Sequence, residues 1–428
     1  MFNHQTIQVF EYEFLLIDEA NGFGIEHWER LCEYNEEYGG GFFRLTHNGV
    51  WFQNYVGVIQ VGNLTIEILP KIGRVGEDQK EKTAWQQVLI NMLRECNWMS
   101  VYAHQKASLH ITFNSILEAY LELFIKECED LLHQGLIKKY RQDECNITSL
   151  KGKLLFSKNI QNNLVHKERF YTIHQEYDNN NLFNQILYKA LKIIPQVSNS
   201  PLLKDRVNKL LIDFPELSDI AVNERVFQKI VFDRKTFAYQ EAIEIAAMLL
   251  LNYRPDISSG HKHILAILFD MNDLWEEYVF RQISRYCNTN WDVVPQEYKT
   301  IWQRVSNPKS SKGVKPDIVI INENKRLIVD TKWKLPEDDI PADGDLKQMF
   351  MYNEYWEGAN AVLLYPMIKG EVVYEPGQFI NGGRVKETST GYRHLCGIMK
   401  ASVLDSENNL AINFGEIVNK RINKEFFQ

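Results

Sequence analysis

The chain has no run of about 18 apolar residues, the length a helix needs to cross a bilayer, so no membrane span is expected. It has no C-x-x-C pair. Its six cysteines (Cys32, Cys96, Cys128, Cys145, Cys287 and Cys396) are scattered, which argues against a zinc site and for reduced thiols in a cytoplasm. It has no surplus of positive charge. At a formal net charge of −8 it is no polycation, and any contact with nucleic acid has to come from a local patch or a partner. A phosphate-binding loop is missing as well: Gly152-Lys153 stands outside any G-x-x-x-x-G-K-[S/T] pattern, so the chain is not expected to hydrolyse nucleotide itself. The opening residues, Met1-Phe2-Asn3-His4-Gln5, form neither a basic nor an apolar leader region, and no signal peptide is expected.

What is present fits a globular protein of two or three domains: 428 residues, 45% of them hydrophobic and 24% charged. Residues 1–105 read as a β-rich segment ending in a helix. Within it, Leu64, Ile66 and Ile68 alternate with Thr65 and Glu67 after a Gly62-Asn63 turn, the pattern of a half-buried sheet. Residues 106–258 read as mainly helical, with Pro255 to Gly260 as a linker. Residues 259–428 mix apolar strand runs with amphipathic helices. Asp270 is placed to N-cap a helix reaching about Tyr286.

The most informative stretch runs from Lys315 to Lys334. Two β-branched runs flank Asn322-Glu323-Asn324-Lys325, which is how a hairpin reads in sequence. With Glu323 and Asn324 as the loop, Asn322 faces Lys325 and Asp317 falls directly opposite Asp330. Residues so paired share a face, with Cβ atoms roughly 5 Å apart. Lys332 lies two residues beyond Asp330 and therefore on that same face. Two carboxylates this close repel each other when both are ionised, and a divalent cation removes the conflict. Hard oxygen ligands suit Mg²⁺, which takes one or two protein carboxylates. The lysine beside them can orient a water or stabilise charge on a phosphoryl group. A slip of one residue would send the two aspartates to opposite faces, so everything here depends on register.

Pro316-Asp317 followed by Asp330-Thr331-Lys332 resembles the PD-(D/E)XK nuclease superfamily, with Asp330 in place of the commoner and longer Glu. Further runs are similar to the McrC family, the nuclease partners of the modified-cytosine restriction GTPase McrB. They are Tyr55 to Gly73 (YVGVIQVGNLTIEILPKIG), Ser149 to Phe156 (SLKGKLLF), Asn181 to Leu187 (NLFNQIL) and Asp270 to Glu276 (DMNDLWE). Residues before Tyr55 show no such likeness.

The resemblance implies an α/β fold, with a C-terminal PD-(D/E)XK mixed sheet flanked by helices, preceded by a β-rich partner-binding domain and a helical middle region. It implies a cytoplasmic endonuclease subunit that cuts double-stranded DNA carrying modified cytosine together with an AAA+ GTPase of the McrB type. Mg²⁺, or Mn²⁺ in its place, would be held by Asp317, Asp330 and the Thr331 carbonyl, with Lys332 positioning the attacking water. Glu276, at the edge of its helix's apolar stripe, would support the site. A Q-x-x-x-Y pair, Gln348 and Tyr352, follows the motif as it does in several nucleases of that superfamily and is expected at the DNA. The stretch from Arg304 to Lys315 reads as a flexible basic loop whose Lys309, Lys312 and Lys315 meet phosphates. Gly57 to Ile72 and the residues before it are expected to form the arm that engages the motor. The competing readings are a non-catalytic adaptor that stimulates the motor and a stand-alone repair or recombination nuclease.

Overall fold

Hydrophobic runs of Ile, Val and Leu unbroken by polar residues belong to strands covered on both faces, and such runs form the centre of the C-terminal sheet. The computed structural model describes residues 5–38, 41–73, 79–99, 115–254, 263–356, 359–381, 383–388, 391 and 393–428. The elements that build the site are helix α1 (Met271–Tyr286), strands β1 (Trp291–Pro295), β2 (Ile318–Asn322) and β3 (Lys325–Thr331), helix α2 (Asp343–Tyr355), strands β4 (Ala359–Met367), β5 (Val373–Glu375) and β6 (Cys396–Ser402), and helix α3 (Phe414–Ile422). They form a six-stranded mixed sheet in the order β1-β2-β3-β4-β6-β5. β2 and β3 are the expected antiparallel hairpin, with Asn322 paired to Lys325 and Ile318 to Val329. The first loop residue, Glu323, adopts φ 54°. β3, β4 and β6 run parallel.

A parallel pair needs a crossover, and α2 supplies the one from β3 to β4. Met349, Tyr352 and Trp356 pack it against Val319, Ile328, Ala361, Leu363 and Tyr365. α1 starts as expected at Asp270, whose Oδ1 accepts from Asn272 N at 2.9 Å. Its buried Trp275 lies against Trp333 and Phe414, with ring centroids 5.3 and 5.6 Å apart.

The chain divides into two compact units. One comprises Met1–Gln5, Ile59–Thr65 and Tyr102–Ile267, the other Thr6–Val58, Ile66–Val101 and Leu268–Gln428. The segments 1–105, 106–258 and 259–428 divide the chain by order, whereas the units divide it by packing, and residues of the first segment occur in both. The first unit contains helices Ile116–Gln134, Leu182–Val197, Pro201–Asp213 and Gln240–Asn252. It also holds a three-stranded sheet in which Phe170–Asp178 lies between Lys139–Ile147 and Lys153–Leu154. Pro255 to Gly260, the expected linker, lies outside the described residues. Among those residues no helix is long and apolar enough to cross a membrane.

Two expectations are corrected, and the tail adds a helix. The stretch from Arg304 to Lys315 is no flexible loop: Asn307–Val314 is a strand paired antiparallel with Lys299–Arg304, Trp302 opposite Lys312. Ladder hydrogen bonds order a segment whose composition alone looks like coil. The tail contributes helix α3 after β6, because Phe414, Val418 and Ile422 repeat at helical spacing and are buried. Finally, the strands Tyr55–Val61 and Leu64–Leu69 are not a half-buried sheet. Apart from half-buried Tyr55, all their residues are buried, Thr65 and Glu67 included. Glu67 tolerates this because Gln8 Nε2 and Gln86 Nε2 donate to its Oε2 at 2.9 and 2.7 Å. Deleting Gly57 to Ile72 would therefore remove two buried strands.

The second unit also buries Glu11, immediately after the strand Gln5–Phe10. Its Oε1 accepts from Lys71 N at 2.8 Å and from Trp333 Nε1 at 2.6 Å, while Oε2 has no hydrogen-bond partner. Burial outweighs these two bonds and pushes the carboxyl up to about 7. Below pH 4.5 the proton is held in the folded and unfolded chain alike. Between that pH and about 7 only the folded chain keeps it, so stability falls as pH rises through this window and levels off above it. The decrease attributable to Glu11 is on the order of 3 kcal/mol. Urea denaturation of Glu11→Gln should lack this part of the decline, so the variant gains on the parent between pH 5 and 8. A pH-independent difference between the two would contradict the assignment.

Candidate active site

At the C-terminal end of β3 the hairpin register carries Asp317, one residue before β2, to the position facing Asp330. The Asp317 carboxylate is fixed there: its Oδ2 accepts from Thr331 N at 2.6 Å and from Thr331 Oγ1 at 2.9 Å. Asp330 is fully buried. Its Oδ2 lies 2.6 Å from Lys332 Nζ, and its Oδ1 has no hydrogen-bond partner. The backbone after Asp330 stays in the sheet, since Lys332 N donates to Leu364 O at 3.0 Å. The sequence expectation that Asp317, Asp330 and Lys332 share one face is what the register produces.

A chain of hydrogen bonds aims the lysine. Lys332 Nζ donates to Gln348 Oε1 at 3.3 Å, Gln348 Nε2 donates to Tyr352 Oη at 2.7 Å, and Tyr352 Oη donates to Lys315 O at 2.7 Å. An ammonium has only donors, so the Gln348 oxygen must face Lys332 and its NH₂ must face Tyr352. The phenol then has one proton left, for the carbonyl. The i, i+4 placement of Gln348 and Tyr352 was legible in sequence, but Tyr352 is only 1% exposed. Its ring has no surface for DNA, and its role in the structure is to hold Gln348.

Glu276 arrives from α1, half-buried, and its Oε1 accepts from Gln296 Nε2 at 2.7 Å. Gln296 also accepts from Lys315 Nζ through Oε1 at 3.0 Å, and its own N–H donates to Asp317 O at 2.9 Å. This one residue, at φ 48°, ties Glu276, Lys315 and the Asp317 backbone together. Lys315 is thereby part of the carboxylate cluster, whereas Lys309 and Lys312 are exposed on the hairpin strand Asn307–Val314.

The electrostatics follow from burial and like charge. Burial raises the Asp317 carboxyl against the two Thr331 donors. Burial and then the Asp317 charge push Asp330 up to about 7, opposed by Lys332. For Lys332, burial acts to lower its pKa, but the Asp330 charge and contact override it and the ammonium is held above its usual value. Glu276 is raised by burial first and by Asp317 second. Three buried or half-buried acids are thus held with fewer compensating charges than they call for.

Sequence reasoning missed two residues and one functional group. Gln296 has no signal beyond standing after the edge strand. Asp345, in the first turn of α2, pairs with Lys334 Nζ at 2.7 Å and contributes to the raised Asp330. The Thr331 hydroxyl was passed over in favour of its carbonyl, although threonine in a D-x-K strand was visible.

These observations define an α/β protein with a buried cluster of two carboxylates and a lysine at the end of a mixed sheet. The chain belongs to the family of McrBC 5-methylcytosine restriction system components, whose family model matches residues 50–366, most of its length. No curated protein matches it. In fold it is similar to a chain of the refined half-complex from the tetradecameric assembly of Thermococcus gammatolerans McrB AAA+ hexamers with bound McrC. That likeness has 18% identity and a TM-score of 0.69, and it covers 98% of this chain and 100% of the other. A chain of the cryo-EM structure of the Thermococcus gammatolerans McrBC complex matches at 20% identity and a TM-score of 0.50, over 66% of this chain and 88% of that one.

Because Gln348 and Tyr352 act as one unit, their removal should not be additive. Tyr352→Phe and Gln348→Ala should each destabilise the fold by about 1 kcal/mol, and a double-mutant cycle in urea should show coupling of at least about 0.5 kcal/mol. Independent effects would mean that the bond between them carries no load.

Proposed function

We propose that this chain is the DNA endonuclease subunit of a modified-cytosine restriction complex, with a PD-(D/E)XK site, and that it works with an AAA+ GTPase of the McrB type. One observation carries the reading: hairpin register brings Asp317 and Asp330 together in a buried place with Lys332 as their main counter-charge. Family membership and the fold shared with chains of the McrB–McrC assembly support it.

The residues fit a divalent cation. Asp330 Oδ1 is a buried acceptor with no donor, and burial together with the Asp317 charge raises the proton affinity of Asp330. Asp317, Asp330 and the Thr331 carbonyl would hold Mg²⁺ or Mn²⁺, an all-oxygen set of the kind these hard ions take. When bound, the ion supplies Lewis acidity toward the phosphoryl oxygens. The chain's own contribution is positional. Lys332, held by Asp330 and Gln348, keeps a proton-bearing ammonium where it orients an attacking water and neutralises developing charge. Thr331 locks Asp317, and Gln296 locks Glu276 beside it. The exposed hairpin with Lys309 and Lys312 meets DNA phosphates without sequence preference.

Lys332→Ala should lower DNA cleavage on the order of a hundredfold or more. It should leave assembly with the GTPase and stimulation of GTP hydrolysis intact, since Lys332 is no metal ligand. Asp330→Asn should lose cleavage and keep assembly. Both activities are to be assayed on the same purified complex with Mg²⁺. Full cleavage by either variant would place the site elsewhere, and loss of both activities would assign these residues to the fold or to an adaptor role.

Lys309→Gln with Lys312→Gln should weaken DNA binding uniformly across sequences and reduce the slope of log affinity against log salt by about 2. An unchanged slope would remove the hairpin from the interface.

A further inference from the structure

The strands Lys139–Ile147 and Phe170–Asp178 pair antiparallel, with Asp143 opposite His174 and Cys145 opposite Thr172. The two-residue period puts Asp143 and Cys145 on one face, and register adds His174 to it. One ligating atom from each of the three lies within 4.8 Å of the other two. Among the described residues this is the one group of three or more histidine, cysteine or acidic side chains that meets so closely.

The surroundings support a ligand set. His174 Nε2 lies 3.5 Å from Glu176 Oε1, and its Nδ1 lies 3.4 Å from the hydroxyl of Thr172, the residue opposite Cys145. One ring nitrogen is thus turned to a carboxylate and the other toward the cysteine end, the way an outer carboxylate orients a metal-binding imidazole. Arg141 Nη1 donates to Asp143 Oδ1 at 2.8 Å, and does not take its second oxygen. The same guanidinium also binds Glu176 and Asp178, so one arginine faces three carboxylates. Gly152, at φ 70°, lets the backbone pass close to the strand at His174, since a Cβ there would stand 2.4 Å from Ile173 O and 2.6 Å from His174 Cβ. His174 is buried, with 4% of its side chain exposed. Gly152 thus has a packing reason that involves no phosphate loop.

We infer that Asp143, Cys145 and His174 form a binding site for a borderline-soft divalent cation of the Zn²⁺ class. Sγ, Nδ1 and one carboxylate oxygen are the protein ligands, and a fourth position is open to solvent. A sulfur and nitrogen set excludes Mg²⁺, which prefers oxygen, and separates this site from the Asp317–Asp330 cluster. The ion cross-links the strands Lys139–Ile147 and Phe170–Asp178. Spacing along the chain hides such a site, because its ligands meet only through strand register.

The test uses the full-length chain, stripped with a chelator and titrated with Co²⁺. A thiolate-to-cobalt charge-transfer absorption should saturate at one ion per chain and bleach on adding Zn²⁺. Co²⁺ at the Asp317–Asp330 carboxylates produces no such band. Cys145→Ser should abolish it and Cys287→Ser should keep it. Asp143→Asn and His174→Gln should each weaken Co²⁺ at least roughly tenfold. Circular dichroism checks that each variant folds; if His174→Gln does not, the half-buried Asp143→Asn decides. Absence of the band in the parent overturns the assignment, as does its persistence in Cys145→Ser. Parent-like affinity in every folded variant of Asp143 and His174 would leave a lone cysteine and overturns it too.

Discussion

The carboxylate of Asp330, fully buried and facing a second carboxylate, is the constraint around which the C-terminal sheet is arranged. An isolated ionised acid in such a place is costly, and a second one beside it makes the cost larger. The surroundings answer each charge separately. Thr331 gives Asp317 two donors, Lys332 gives Asp330 its ammonium, and Gln348 with Tyr352 keeps that ammonium from swinging away. What is left unanswered is Asp330 Oδ1, the feature that matches a cation. A cluster built this way is strained in charge and held in a fixed geometry by its own hydrogen bonds.

Rigidity extends past the motif. Trp333, the residue after Lys332, is fixed by its indole N–H on Glu11 and by ring contact with Trp275 of α1. Glu11 belongs to the N-terminal part of the chain, yet it packs in the same unit as the hairpin. Glu11 and the strand before it are thus part of the support for the hairpin strand that carries Asp330 and leads into Lys332.

Much of the site was legible in sequence because β-structure has a period of two and a hairpin has a fixed pairing rule. A two-residue loop at Glu323-Asn324 is enough to place Asp317 opposite Asp330 and Lys332 on the same face, and α-helical spacing is enough to stack Gln348 on Tyr352. The basic stretch after Arg304 was misread for the converse reason. Ser, Asn, Lys and Gly carry little strand propensity, and only pairing with Lys299–Arg304 makes Asn307–Val314 a strand.

By itself the sequence determined the local geometry: strand and helix identity where hydrophobic periodicity is strong, the N-cap at Asp270, and the hairpin register that brings together two acids and a lysine. Tertiary structure alone decided which polar groups are buried and what answers them. Glu11 reaches Trp333, Gln296 joins Glu276 to Lys315, and Asp345 enters the field of Asp330 across distances in sequence that no periodicity spans. Asp143, Cys145 and His174 meet for the same reason. Register between two strands is set by the packing of their faces, and a chain carries no local mark of the residues that packing will set side by side.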